Sequence, residues 1–211
     1  MKDIIFATGN AGKMKEVRQI LEDLGVSVYS LKDAGIDAEV EENGTTFSQN
    51  AVLKAEGIAS WCRDNGIPAM PQRSIGEFIV LADDSGLEVD RLNREPGVYS
   101  ARYMGYDTSY REKNANIVAR LEGVPKEERT ARFVCAIAAA FPDGRCEVAE
   151  GTIEGYIGWE ERGENGFGYD PIFYLYENDL STAELSPEEK NRISHRGRAL
   201  QKMKELLRKG E

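Results

Sequence analysis

The hydrophobic pattern alternates between buried-strand and helical signatures. Ile4-Ile5-Phe6-Ala7 is a continuous apolar run, the mark of a strand covered on both faces. Met14, Val17, Ile20, Leu21 and Leu24 then recur at helical spacing, and Gly25 supplies a stop. This predicts a helix beginning near Lys13, followed by a second strand over residues 26–31. Thr46-Phe47-Ser48-Gln49 matches a capping box. The helix it opens carries Phe47, Ala51, Ala55, Ile58 and Ala59 on one face, with Asn50 and Lys54 on a neighbouring stripe. Residues 63–77, with two prolines and two glycines, read as an excursion.

A third apolar run, residues 79–82, reads as a buried strand that ends at the two carboxylates Asp83 and Asp84. Residues 98–101 read as irregular. Ser109-Tyr110-Arg111-Glu112 is a second capping box, opening a helix with Tyr110, Asn114, Ile117, Val118 and Leu121 on one side. Residues 130–141 and 145–157 are β-rich and joined by Pro142-Asp143-Gly144, a hairpin turn signal. Residues 163–170 form a Gly-rich loop. Ser194 is expected to cap a last helix with Ala199, Leu200, Met203, Leu206 and Leu207 on its core side. Strands alternating with helices predict an α/β fold. No repeat, low-complexity tract or linker marks a boundary, so the 211 residues read as a single domain, 1–211.

Composition narrows the classes. Hydrophobic residues at 41% and charged residues at 30% are ordinary for a globular chain. A net charge of −10 argues against a nucleic-acid polymer as partner, because phosphate neutralisation needs a basic face. A small phosphorylated ligand remains open, held by local lysines and a metal. No apolar run approaches the roughly 20 residues of a membrane span, and the start lacks a signal peptide. Cys62, Cys135 and Cys146 form no CxxC pair and are odd in number, so they read as reduced thiols. The expectation is a cytoplasmic protein with no membrane partner.

The chemistry gathers in a few stretches. Asp83-Asp84-Ser85-Gly86 follows an apolar run, and ligands in open α/β sheets sit beyond the carboxyl ends of strands. Two acids there suit a hard cation such as Mg²⁺; a solvated Asp-rich turn is the alternative. Thr8-Gly9-Asn10-Ala11-Gly12-Lys13 is no P-loop, since the first glycine would fall at Ala7 and the Ser/Thr at Met14. A strand, a Gly-containing loop and a helix start nonetheless make an anion site, which Lys13 strengthens. A tight turn needing glycine explains the same residues. Lys54, Glu41 and Glu42, taken alone, read as solvated surface. In Gly166-Phe167-Gly168-Tyr169-Asp170, two aromatics stand ready to stack on a base or to plug the loop. The only histidine, His195, excludes a multi-His metal site. It places a donor beside Arg196 at a helix start, or is a surface residue.

Taken together, these blocks resemble the inosine triphosphate pyrophosphatase family, which hydrolyses deaminated purine nucleoside triphosphates. The match runs in order through Ala7–Lys13, Gly44-Thr45-Thr46-Phe47 with Asn50-Ala51 and Lys54-Ala55, Ala82–Leu87, Pro96–Arg102, Gly166–Pro171 and Ser194–Gly197. It covers nearly the whole chain. Gln49 stands where the family commonly has Glu, and Asn43 where Thr is frequent. The resemblance implies a long twisted mixed β-sheet flanked by helices, in two lobes with the active site in the cleft between them, and a homodimer. It implies Thr8, Gly9, Asn10, Ala11, Gly12, Lys13 and Lys54 as triphosphate ligands, and Asp84 as catalytic acid/base. Glu42 and Asp84 would hold Mg²⁺, and Ser85 would touch substrate. Phe167, Gly168, Tyr169, Asp170, Lys190, His195 and Arg196 would form the base pocket. ITP, dITP, XTP and dXTP would yield the monophosphate and pyrophosphate. A non-catalytic purine nucleotide sensor is the alternative, although such a binder has no need of paired carboxylates.

Overall fold

Short apolar runs with no polar break form the centre of the sheet. In the computed structural model, which describes residues 2–209, β1 (Asp3–Phe6) pairs in parallel with β2 (Val28–Ser30) and with β3 (Phe78–Val89). The remaining strands are β4 (Glu95–Pro96), β5 (Thr130–Ala140), β6 (Cys146–Ile157) and β7 (Phe173–Tyr174). The sheet runs β2-β1-β3-β5-β6-β7, with β4 antiparallel to the end of β3. The helices are α1 (Ala11–Leu21), α2 (Leu31–Ala34), α3 (Phe47–Asn65), α4 (Tyr110–Arg120), α5 (Pro187–Ile193) and α6 (His195–Lys209). This is the α/β class that the pattern predicts, with the mixed sheet that the resemblance implies. The chain divides into two compact units. The first takes residues up to Asp84, Cys135–Gly151 and Arg198 onward; the second takes Ser85–Val134 and Thr152–Gly197.

In the first unit, the alternation of strand side chains decides which helix covers which face. Ile4, Phe6, Ile79 and Leu81 join Met14, Val17, Ile20 and Leu21 of α1 and Ala199, Leu200, Met203 and Leu207 of α6 in one cluster. Each of the larger side chains among these, fully buried, contributes about 1.5–3 kcal/mol. The alternate residues Ile5, Val80 and Ala82 are buried as well. α1 starts at Ala11, two residues before the predicted start, because the Asn10 side chain accepts from the Lys13 amide and caps it. It stops as predicted, through a 3₁₀ turn into Gly25, whose φ of 66° is left-handed. Thr46 caps α3 by accepting from the Gln49 amide at 3.1 Å. The Gln49 side chain reaches the Thr45 amide instead of Thr46, so the predicted box closes one residue early.

One expectation is overturned. β3 does not end at Ala82 but continues to Val89, so Asp83 and Asp84 lie inside a strand, not beyond its end. The strand survives because both carboxylates find partners and because burial resumes at Leu87 and Val89.

The excursion of residues 63–77 is tied down. Its Ile67 is buried, and its Ala69 amide donates to the Ala34 carbonyl at 3.1 Å. Arg73 lies 4.1 Å over the Phe78 ring and donates to Asp3 at 2.8 Å.

The second unit has its own core. Leu87 and Val89 of β3 pack with Ile117 and Leu121 of the α4 region, Phe133, Ile153, Ile157, Tyr169, Ile172 and Phe173. The predicted Ser109–Glu112 box caps α4. Residues 98–101 lie in a 3₁₀ turn, Gly97–Arg102. α5 is absent from the sequence expectations, although Ser186-Pro187-Glu188-Glu189 is a capping box with proline at the first helical position. Ser194 caps α6 as predicted, accepting from the Gly197 amide at 3.0 Å. Among the described residues no helix is long and apolar enough to cross a membrane, and the three cysteines are free thiols.

Asp3 offers a test of these ties. Burial raises its pKa, but the Arg73 guanidinium and the Ser27 amide outweigh that and hold it below the ordinary carboxylate value. A depressed folded pKa gives stability that is present above the unfolded pKa and lost as pH falls through the folded one. Asp3→Asn is expected to lower the melting temperature at pH 7 by about 2–4 °C, the effect of about 1 kcal/mol in a chain this size. In thermal melts the difference from the unmodified protein should hold above the ordinary Asp carboxyl value of about 4 and shrink as pH falls below it.

Candidate active site

Successive residues of a strand point to opposite faces, and Asp83 and Asp84 follow this rule. Asp83 shares parity with Ile79 and Leu81, whose face packs on α1. There Lys13, in the first turn of α1, meets it at 2.8 Å. Asp84 turns the other way, towards α3. Asn50 of α3 donates to it at 3.0 Å, and Lys54, one turn along, lies 3.7 Å away. Lys54 also meets Glu42 at 3.1 Å. The helical stripe shared by Asn50 and Lys54 therefore brings both side chains to Asp84.

The electrostatics follow from the burial. Asp84 is 8% exposed. Burial pushes its carboxyl above the usual value, with Glu42 adding to the effect, while Lys54, Asn50 and Lys13 pull the other way. Burial works against the Lys54 charge too, but Asp83, Asp84 and Glu42 together hold its pKa above the ordinary lysine value. Three carboxylates surround two ammonium groups, so this group of side chains is net negative.

The phosphate-loop candidates Thr8–Lys13 join β1 to α1. Thr8 is buried, and its hydroxyl accepts from the Asn10 amide at 3.2 Å. Gly9, Asn10 and Ala11 are exposed at the start of α1. Asn10 already satisfies the Lys13 amide at 3.1 Å, which leaves the exposed N–H groups at the helix start for an anion.

The second unit gathers the remaining candidates. Gly166 has a φ of 78°, and a Cβ there would come within 2.3 Å of the Asp170 carboxylate. Asp170 is 3% exposed; it accepts from the Phe167 amide at 2.8 Å, from Thr182 at 2.8 Å and from Lys190 at 2.7 Å. The half-buried Phe167 ring has two cations over it, Lys190 at 4.9 Å and Arg196 at 5.7 Å. Arg196 donates to the Ser85 hydroxyl at 3.2 Å. His195 is 7% exposed and stacks on Phe133, with centroids 4.8 Å apart. It is not the surface residue of the alternative reading.

Tyr169 departs from expectation. It is 3% exposed, meets Tyr110 edge-on at 5.3 Å and donates to the Ser100 carbonyl at 2.7 Å. Its ring is committed to the core, which leaves Phe167 as the partly exposed aromatic of this loop. Sequence reasoning also missed Asp83 as the partner of Lys13 and Asn50 as a donor to Asp84. The signals were there: two adjacent acids in a strand must face opposite ways, and Asn50 stands one turn from Lys54.

The donor set fits a hard divalent cation. Glu42 and Asp84 offer carboxylate oxygens and already share a cation, Lys54. Among the described residues no group of three or more His, Cys, Asp or Glu forms a complete metal cage. Magnesium is commonly bound by one or two carboxylates, with substrate phosphates and water completing its shell.

The chain is similar to known proteins along nearly its whole length. A model of the Ham1 family matches residues 4–206. The chain is 46% identical over 207 residues to a dITP/XTP pyrophosphatase of Bacillus subtilis (strain 168), covering 98% of each. It is 48% identical over 207 residues to a dITP/XTP pyrophosphatase of Bacillus licheniformis, again covering 98% of each. Its fold is similar to that of the Staphylococcus aureus Ham1 protein, with a TM-score of 0.83, 38% identity and 100% of both chains covered. It is similar to a HAM1 protein from Coxiella burnetii with a TM-score of 0.82, 36% identity and coverage of 99% and 100%. A match along nearly the full length in both sequence and fold leaves one assignment: the chain belongs to the Ham1 family.

Proposed function

We propose that this chain hydrolyses deaminated purine nucleoside triphosphates (ITP, dITP, XTP and dXTP) to the monophosphate and pyrophosphate, in the cytoplasm and as a homodimer. The observation that carries this reading is the pair of lysine–carboxylate contacts on opposite faces of β3, Lys13 with Asp83 and Lys54 with Asp84 and Glu42. Relatives sharing 46% and 48% identity over nearly the whole chain are named dITP/XTP pyrophosphatase, which supports the same substrates here.

In this reading the exposed amides after Thr8, with Lys13 and Lys54, bind the triphosphate. Each lysine exchanges a carboxylate partner for phosphate oxygens, chiefly a matter of position and charge. Glu42 and Asp84 would hold Mg²⁺, which supplies neutralisation of phosphate charge when bound. Asp84 takes the proton of the water that attacks the α-phosphorus. The bond from that phosphorus to the bridging oxygen breaks, and pyrophosphate departs. An ordinary Asp is a weak base at neutral pH, so the upward push of burial on Asp84 moves it toward its task. Hypoxanthine and xanthine present an oxygen acceptor at C6, where adenine presents an amino donor. His195 and Arg196 supply donors for that oxygen, Lys190 adds a further N–H donor from its ion pair with Asp170, and Phe167 supplies a stacking face. A pocket of donors leaves an amino group opposed by other N–H groups, a mismatch that discriminates strongly once buried.

Product analysis tests the reaction. With Mg²⁺, pyrophosphate is expected from ITP and XTP and little product from ATP; orthophosphate as the first product would overturn the proposed site of cleavage. Asp84→Asn is expected to cut turnover by roughly 10²–10⁴-fold. Because burial raises the Asp84 pKa, stability is lost as pH rises from the unfolded carboxyl's value through the raised folded one. The variant should therefore melt no lower than the unmodified protein at pH 7, with the comparison shifting toward the unmodified protein as pH is lowered. His195→Ala should reduce the ratio of kcat/KM for ITP over ATP, and an unchanged ratio would remove His195 from base recognition.

A further inference from the structure

Two polar side chains stand side by side in the core of the second unit, and nothing above gives them a task. Lys113 and Asn114 of α4 are 1% and 2% exposed. Neighbours on a helix point about 100° apart, so the two reach different segments. Lys113 donates to the Ala101 carbonyl at 2.7 Å and lies 4.9 Å over the Tyr110 ring. Asn114 donates to the Gly168 carbonyl at 3.3 Å and to Glu161 at 2.7 Å.

Both side chains are costly where they stand. No carboxylate lies within ion-pair distance of Lys113 among the described residues, and burial pulls its pKa down. The Asn114 carbonyl oxygen is buried without a hydrogen-bond partner. A leucine or methionine would serve the core better, and buried polar groups left in this state call for a reason other than stability.

We infer that Lys113 and Asn114 are positioning residues for base recognition, clamping the 97–102 turn and the Phe167-Gly168 segment to α4. The inference rests on the functional reading above. The segment is held at two points. Asp170 fixes the Phe167 amide, and Asn114 fixes the Gly168 carbonyl, so the two anchors bracket the residue whose ring has both Lys190 and Arg196 over it. Tyr110, one turn before Asn114 on the same face, holds Tyr169 edge-on. Tyr169 in turn donates to the Ser100 carbonyl, next to the peptide that Lys113 holds. α4 thus governs both segments without itself contributing a recognition group.

The experiment compares Asn114→Ala and Lys113→Met with the unmodified protein by amide hydrogen exchange and by kinetics with ITP and ATP. In Asn114→Ala, exchange at residues 166–169 should quicken and the KM for ITP should rise, each by about two- to tenfold, the size of one net hydrogen bond. kcat should stay within about twofold, since no reacting group is removed. Lys113→Met should quicken exchange at residues 98–102. If Asn114→Ala does not fold, Asn114→Ser loses the same contact with a smaller polar group. Unchanged exchange in both segments with an unchanged KM would overturn the inference, even if the melting temperature falls. If the unmodified protein releases no pyrophosphate from ITP, the functional reading fails instead, and the exchange data decide the clamp alone.

Discussion

Two adjacent carboxylates inside a buried strand impose a demand that one helix cannot meet. The strand turns Asp83 and Asp84 to opposite faces, so each face must bring its own cation. α1 brings Lys13 to one, and α3 brings Lys54 and Asn50 to the other. Both helices owe their starts to side-chain caps, Asn10 for α1 and Thr46 for α3. The caps place each lysine at a defined height along the strand. A slip of one residue in β3 would turn each acid to the opposite face, away from its partner.

The arrangement is balanced rather than stable for its own sake. Desolvation disfavours both the Asp84 charge and the Lys54 charge, and each is offset by several partners: Lys54, Asn50 and Lys13 for Asp84, and Asp83, Asp84 and Glu42 for Lys54. The same low-dielectric setting that makes these charges expensive pushes the Asp84 carboxyl above its usual value, and in the proposed reaction it would strengthen the lysines' hold on a phosphate group. The second unit uses a parallel economy. Asp170 and Lys190, both almost wholly buried, neutralise each other at 2.7 Å, and Asp170 also fixes the backbone of the aromatic loop. A side chain that holds a loop in place and a side chain that balances a charge are here the same residue.

Much of this was legible in the sequence because it is local. The helical spacing of Met14, Val17, Ile20 and Leu21, the boxes at Thr46 and Ser109, the glycine stop at Gly25 and the Ser194 cap each depend on residues within a few positions, and each element formed. The failures were also local in origin. The run ending at Ala82 looked like a strand end because two aspartates normally break a strand, and α5 was passed over although its cap and proline are written in four consecutive residues.

The sequence by itself determined which residues are chemically able to act: the acids, the lysines, the single histidine and the aromatic between glycines. It also determined the α/β class, because periodicity and capping are short-range properties. Tertiary structure alone decided the partnerships. Lys13 meets Asp83 across 70 positions and Arg196 meets Ser85 across 111, and no local pattern encodes contacts at that separation. Burial decided the rest. It made Tyr169 a core residue and left Phe167 half-exposed, although the two stand one glycine apart. The reason is physical: propensity acts along the chain, whereas desolvation and charge pairing act through space and are settled only when the sheet brings distant segments together.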